Sequence, residues 1–139
     1  MAIFTLTDAY VSVNGVVLSD HANKVTVTDT RNSVDITAFG ATSVAVTKGL
    51  GDAKISIDFF QDFAAAKIHA TLQPLIGSTT PVAIEVRATS AARSATNPAA
   101  LMQGLLMNYS MLDGAVGAAS GMTVEFTNGA QAGMTYPTS

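Results

Sequence analysis

The side chains able to do chemistry in this chain are two histidines, a scatter of carboxylates and one glycine-rich turn. Their spacing builds no reaction centre. His21 and His69 stand in unrelated settings, and no Gly-x-Ser-x-Gly elbow presents a nucleophilic serine. Asp58 and Asp62 are four residues apart, but Asp58 closes a strand-like stretch and Asp62 opens a helical one, which makes them a weak acid pair. Gly49-Leu50-Gly51-Asp52 has the outline of a phosphate-cradling turn. However, no Gly-Lys-Ser/Thr follows it, and strand patterning comes next where such a loop needs a helix. Asp29, Asp35 and Asp52 are too widely separated for a calcium loop. The chain contains no cysteine, so thiol catalysis and Cys-ligated metals are excluded. The expectation is a protein that is not an enzyme, with no cofactor and no metal.

The elements that position these residues are read from composition and periodicity. A length of 139 residues suits one domain, 1–139, with a core large enough to fold without staples. Charged residues make up 12% of the chain, against about 25% in an average globular domain. Ten acids against seven bases leave a net charge of −3. So few charges keep neighbouring surfaces poorly separated, which suggests a surface covered by copies of itself. The slight acidic balance, with no Lys/Arg cluster, argues against binding nucleic acid through its phosphates. No stretch is long and apolar enough for a membrane span, and the amino terminus lacks the basic start of a signal peptide. A soluble, unsecreted chain is expected.

Period-two alternation dominates. Val11 and Val13 precede Asn14-Gly15, a strong two-residue hairpin signal, after which Val16, Val17 and Leu18 run back. The clearest strand places Ala53, Ile55, Ile57 and Phe59 on one face and Lys54, Ser56 and Asp58 on the other. Val82, Ile84 and Val86 oppose Glu85 and Arg87, and Met122, Val124 and Phe126 oppose Thr123 and Glu125. These runs predict an all-β fold, a β-sandwich or barrel. One helix is expected over residues 62–73, capped by Asp62, with Ala64, Ile68 and Leu72 on its apolar stripe and Pro74 just beyond its end. Residues 101–112 are apolar on both alternating sets, so that strand needs a second covering layer. Residues 29–54 read as a hairpin long enough to leave the domain, and residues 88–97 as a mobile loop. Residues 128–139 read as a frayed end or an arm.

Two groups of residues carry a family likeness. Val34-Asp35-Ile36-Thr37-Ala38-Phe39-Gly40, followed by Lys48-Gly49-Leu50-Gly51-Asp52-Ala53-Lys54-Ile55-Ser56-Ile57, resembles a pattern of phage tail tube subunits. There an acidic residue and a Thr precede a small-aromatic-Gly turn, and Gly-Leu leads into an amphipathic strand. Arg87-Ala88-Thr89-Ser90, Ser94-Ala95-Thr96-Asn97-Pro98, Leu112-Asp113-Gly114-Ala115-Val116-Gly117 and Met122-Thr123-Val124-Glu125-Phe126 resemble small tail proteins of actinobacterial phages. The resemblance to the major tail tube protein of a long-tailed, siphovirus-like bacteriophage implies a flanking helix and a virion location in the phage tail, after assembly in the host cytoplasm. It also implies partners: further copies of the chain in hexameric rings stacked into a tube, a tape measure protein, a tail terminator, and DNA in transient, non-specific passage. No membrane is implied. Carried onto this chain, residues 1–8 and 128–139 would be terminal arms, and residues 29–54 would be the ring-stacking hairpin, with Arg31, Asp35, Phe39, Lys48 and Leu50 as its contact residues. Asp58, Glu85 and Glu125 would face a mildly acidic lumen that does not hold a passing polyphosphate. A capsid decoration or head-tail completion protein would share this composition. A small ligand-binding β-sandwich is a further alternative, weakened by the absence of Trp.

Overall fold

A computed structural model describes residues 3 and 5–139. Residues 1, 2 and 4 of the expected amino-terminal arm lie outside the described residues. Seven strands follow in chain order: β1 (Tyr10–Val13), β2 (Val16–Val17), β3 (Ala22–Asp35), β4 (Val46–Phe60), β5 (Val82–Arg87), β6 (Ala99–Asn108) and β7 (Gly121–Asn128). All seven belong to one antiparallel sheet in the order β2-β1-β5-β6-β7-β4-β3. With one short helix, this is the expected all-β class.

The alternation seen in the sequence places the core. Ile55 faces Phe126 and Ile57 faces Val124 across β4 and β7, while Ile84 faces Met102 across β5 and β6, and Val13 faces Ile84 across β1 and β5. Each of these side chains is buried. Little outside the sheet covers this face: Leu18, Ile68, Leu72, Leu75 and Met134 are the core members from other segments. The dry face of the sheet therefore covers itself, its side chains from β1 through β4 gathered into one buried cluster. A groove of about 380 Å³ lies between residues 6–9, which lead into β1, and residues 22–25 at the start of β3. Gly104 keeps the inner face of β6 low, because a Cβ there would come within 2.7 Å of Ile84 Cδ1 and 3.4 Å of Phe126 Cβ.

The helix is shorter than expected. α1 covers Ile68–Leu72 and passes into a 3-10 turn at Gln73–Leu75, with Pro74 in its first turn rather than beyond its end. Residues 62–67 are not helical: Ala66 has φ of 60° and Lys67 is extended. Asp62 caps a local turn, accepting the Ala64 N–H at 2.9 Å, while Ala64 itself is exposed. The buried stripe is Ile68, Leu72 and Leu75.

Two segments expected to be loose are held. Asn97 is buried and ties residues 88–97 together, donating to the carbonyl oxygens of Ala91 at 2.9 Å and Ala92 at 3.3 Å and accepting from the Thr89 N–H. Residues 135–137 lie along β6 of their own chain, where Leu101 and Thr135 exchange two backbone hydrogen bonds of 2.9 Å and the Ala99 N–H reaches the Pro137 carbonyl. Met134 enters the core beside them.

Phe126 sits at the centre of the rolled face with no exposure. Phe126→Ala should cost about 3–5 kcal/mol. The check is urea unfolding, where the midpoint should fall with the slope unchanged.

Candidate functional site

The charged groups that could have formed a reaction centre act instead as fasteners. His21 Nε2 lies 2.7 Å from Asp62 Oδ2. Its Nδ1 is 2.9 Å from Asp20 Oδ1, in ion-pair range but poorly aligned for a hydrogen bond. Lys67 Nζ donates to Asp20 Oδ2 at 3.3 Å. The cluster joins the turn before α1 to a 3-10 turn at Ser19–His21. His69 and Gln61 both reach the Tyr109 hydroxyl, at 2.7 and 3.1 Å, and Gln61 also donates to the Met111 carbonyl at 2.6 Å. Together they fix the segment after β6 against the helix. Asp58 and Asp62 go separate ways: Asp58 accepts from the Thr123 hydroxyl at 2.8 Å, on a different element from Asp62. Among the described residues, no three His, Asp or Glu side chains converge as metal ligands.

Carboxylates within reach of His21 hold its imidazolium and raise its pKa, Asp20 first and Asp62 after it. The pKa of Asp62 is lowered, mainly by the Ala64 N–H, and that of Asp20 mainly by His21.

The candidate stacking residues share one projection. β4 pairs with β7 from Lys54 to Phe60 and not before, while β3 and β4 continue as a pair out to Asp35 and Val46. The ribbon beyond the sheet spans eight residues of β4, roughly 25 Å. It carries Arg31, Asp35, Lys48 and Leu50, with Phe39 at its tip. Residues 36–45 form that tip, locked where Thr37 accepts the Ala45 N–H at 2.8 Å and Ile36 N–H donates to the Ala45 carbonyl at 3.0 Å. Asp35 accepts the Thr37 N–H at 2.9 Å, a bond that lowers its pKa. Arg31 turns inward, lying over Gly51 and bonded to Asp29, which also accepts from the Tyr136 hydroxyl at 2.7 Å. Phe39 and Leu50 are exposed, at 109% and 83%.

A chain of the virion of a native gene transfer agent particle is similar in fold, with a TM-score of 0.74 over 94% of this chain and 95% of its own, at 8% sequence identity. A chain from the tail of an empty gene transfer agent particle, a tail with C6 symmetry, gives 0.63 over 84% and 82%, at 10% identity. The chain has the fold of these particle subunits. No protein-family model and no curated protein matches the sequence. At these identities the likeness to the gene transfer agent chains is one of fold, so the surfaces must carry the rest of the argument.

The candidate lumen residues do not form one patch. Asp58 and Glu125 stand on neighbouring strands of the outer sheet face, with Lys24 opposite Asp58 and Thr127 opposite Lys54 in register. This open face is lined with Thr26, Thr28, Ser56, Thr123 and Thr127, and its two acids are matched by two lysines. Glu85 lies elsewhere. Its neighbour on β6 is Leu101, whereas that of Glu125 is Asn108, seven residues or roughly 23 Å along the strand. Nor is Glu85 open to solvent, because Arg87 and Arg93 both pair with it and Arg87 also stacks 3.8 Å from the Tyr10 ring centroid. Arg93 reaches the Ser139 carbonyl as well, so Glu85 anchors the carboxyl-terminal segment.

Sequence patterning did not single out the edges of the sheet. At one end β2 has two residues, and the outward backbone groups of Val11 are satisfied by Ser19 Oγ at 2.9 Å and by the Leu18 N–H at 2.9 Å. At the other end β3 runs for fourteen residues, and among the described residues no strand pairs with its outer side.

The raised pKa of His21 gives stability that is complete below about pH 6.5 and is lost as pH rises through the folded value. The lowered values of Asp20 and Asp62 give stability that is lost on acidification. The melting temperature of the wild type should therefore fall between pH 5.5 and 8.5 by more than that of His21→Gln. Parallel profiles, measured by circular dichroism, would show that this cluster does not hold the helix.

Proposed function

We propose that this chain is the tube subunit of a phage-like tail, forming hexameric rings that stack into a hollow tube. The observation that carries this is the fourteen-residue open edge of β3, whose outer half forms with β4 a ribbon that leaves the sheet and exposes apolar side chains. A two-stranded hairpin is marginal in water on its own. This one exposes Val34, Ile36, Phe39, Val44, Val46 and Leu50. An edge this long is an invitation to pair with another chain unless it is covered. A neighbouring copy covers it when strands of successive subunits continue one barrel around the ring, and rings cover the ribbon when they stack.

The fold shared with gene transfer agent chains, one of them from a C6-symmetric tail, supports this reading, as does the low charge. In the assembled tube the hydroxyl-lined face of β3, β4 and β7 is the surface offered to the channel. Neutral hydroxyls and matched charges give a passing polyanion no basic cluster to hold. A tape measure protein inside the tube and a terminator at its end are the partners this reading requires.

Negative-stain electron microscopy across a concentration series tests the proposal. Stacked rings or hollow tubes are expected; particles that remain monomers or trimers at the highest concentration would overturn it. Lys48→Glu should reduce tube length while leaving the circular dichroism spectrum and melting temperature unchanged. It is the cleaner reversal, because Asp35 also holds the Thr37 N–H and its loss would disturb the tip itself.

A further inference from the structure

The ends of β4 present two loops of the same design. At the hairpin tip, Ala38-Phe39-Gly40-Ala41 closes with the Ala41 N–H on the Ala38 carbonyl at 3.3 Å, and Gly40 has φ of 85°. Between β6 and β7, Ala115-Val116-Gly117-Ala118 closes with the Ala118 N–H on the Ala115 carbonyl at 3.1 Å, and Gly117 has φ of 83°. Both match a type II turn, whose third residue needs positive φ and whose second residue points outward. That second residue is apolar in each, Phe39 and Val116, and both are fully exposed.

The two turns point away from opposite ends of the subunit. Val46, at one end of β4, follows the hairpin tip. Phe60, at the other end, pairs with Gly121, next to the loop that holds Val116. Roughly 45–50 Å of strand separates them. Residues 36–45 contain no charged residue, and residues 109–120 contain Asp113 alone. The same end also exposes Phe63, Met111 and Leu112. The loop is not loose at its base, since Gln61 fixes it through the Met111 and Ser120 carbonyls at 2.6 and 2.8 Å.

We infer that the end of the subunit that carries Phe63, Met111, Leu112 and Val116 is the seat for the hairpin tip of a second copy of this chain. Two apolar ends of low charge, at opposite ends of β4, can meet head to tail, and such a contact repeats without closing, which is the condition for linear growth. A tip-to-tip pairing would leave the second end bare. The flexible thioether of Met111 suits a seat that must accept an aromatic side chain at variable angle. This assignment rests on the tube reading and adds to it the receiving surface and the polarity of growth.

The absence of cysteine allows a clean test. Phe39→Cys protein is mixed under assembly conditions with Val116→Cys or Leu112→Cys protein and treated with a short bismaleimide, with Gln103→Cys, exposed in mid-sheet, as the comparison. A mixed dimer between position 39 and position 116 or 112 is expected, with none to position 103, and a Phe39→Cys/Val116→Cys double variant should give a ladder. Position 39 linking only to itself, or linking to 103 as readily, would overturn the inference. Tubes that form by electron microscopy without 39–116 or 39–112 linkage would overturn the seat and leave the tube reading standing. Protein that does not assemble at any concentration would sink both.

Discussion

Because Ile55, Ile57 and Phe59 alternate with Lys54, Ser56 and Asp58, strand β4 has to keep one face dry, and β7, β6, β5 and β1 carry matching alternations in register. One short helix cannot cover five strands, so the sheet rolls onto itself. Rolling fixes what can happen at its margins. The β1 margin is finished within the chain by β2 and the Ser19 hydroxyl, whereas the β3 margin runs out with β4 into a ribbon that no further strand among the described residues accompanies. The core thus decides which edge is left for another molecule.

Much of this was legible in the sequence. The hairpin at Asn14-Gly15, the faces of β4, β5 and β7 and the long excursion between β3 and β4 follow from period-two patterns and from turn residues whose φ preferences are strong. Asn14 and Gly15 do both adopt positive φ, at 52° and 81°. The helix was over-read because Ala64 falls in phase with Ile68 and Leu72, although a small residue contributes little to a stripe. Asp62 preferred a local turn and a bond to His21, a contact made across forty-one residues that no local pattern carries. The order of residues 88–97 and 135–139 has a different source: Asn97 closes its own loop on backbone groups of residues 89–92, and the carboxyl-terminal segment is held by Leu101 and Arg93, contacts that no alternation pattern carries. The Ala-Val-Gly-Ala turn was visible beside Ala-Phe-Gly-Ala, but nothing in one chain's sequence says that the two lie at opposite ends.

The low charge also gains a physical meaning. Asp20, Asp62 and Lys67 hold the helix; Glu85, Arg87 and Arg93 hold the carboxyl-terminal segment; Asp29 and Arg31 close the root of the hairpin. Charges engaged inside the chain do little to repel a neighbour, so the field at the surface comes from the groups left unpaired. Lys24, Lys48 and Lys54 on one side and Asp8, Asp35, Asp52, Asp58, Asp113 and Glu125 on the other make no ion pair among the described residues, three basic and six acidic, so these groups carry the net charge of −3. Copies therefore repel one another weakly at long range, a repulsion that salt screens, and apolar contact would have to drive association.

The same weak acidic field bears on how rings would find their register. A field of one sign repels copies without orienting them, so selectivity would come from shape and from hydrogen bonding along β3, where each added strand satisfies backbone groups at fixed spacing. A slip of one residue would turn the hydroxyl face inward and the Val25 and Val27 side outward, exchanging a wet surface for a dry one. The pattern that keeps the core of one subunit dry is thus the same pattern that would set the register of the next.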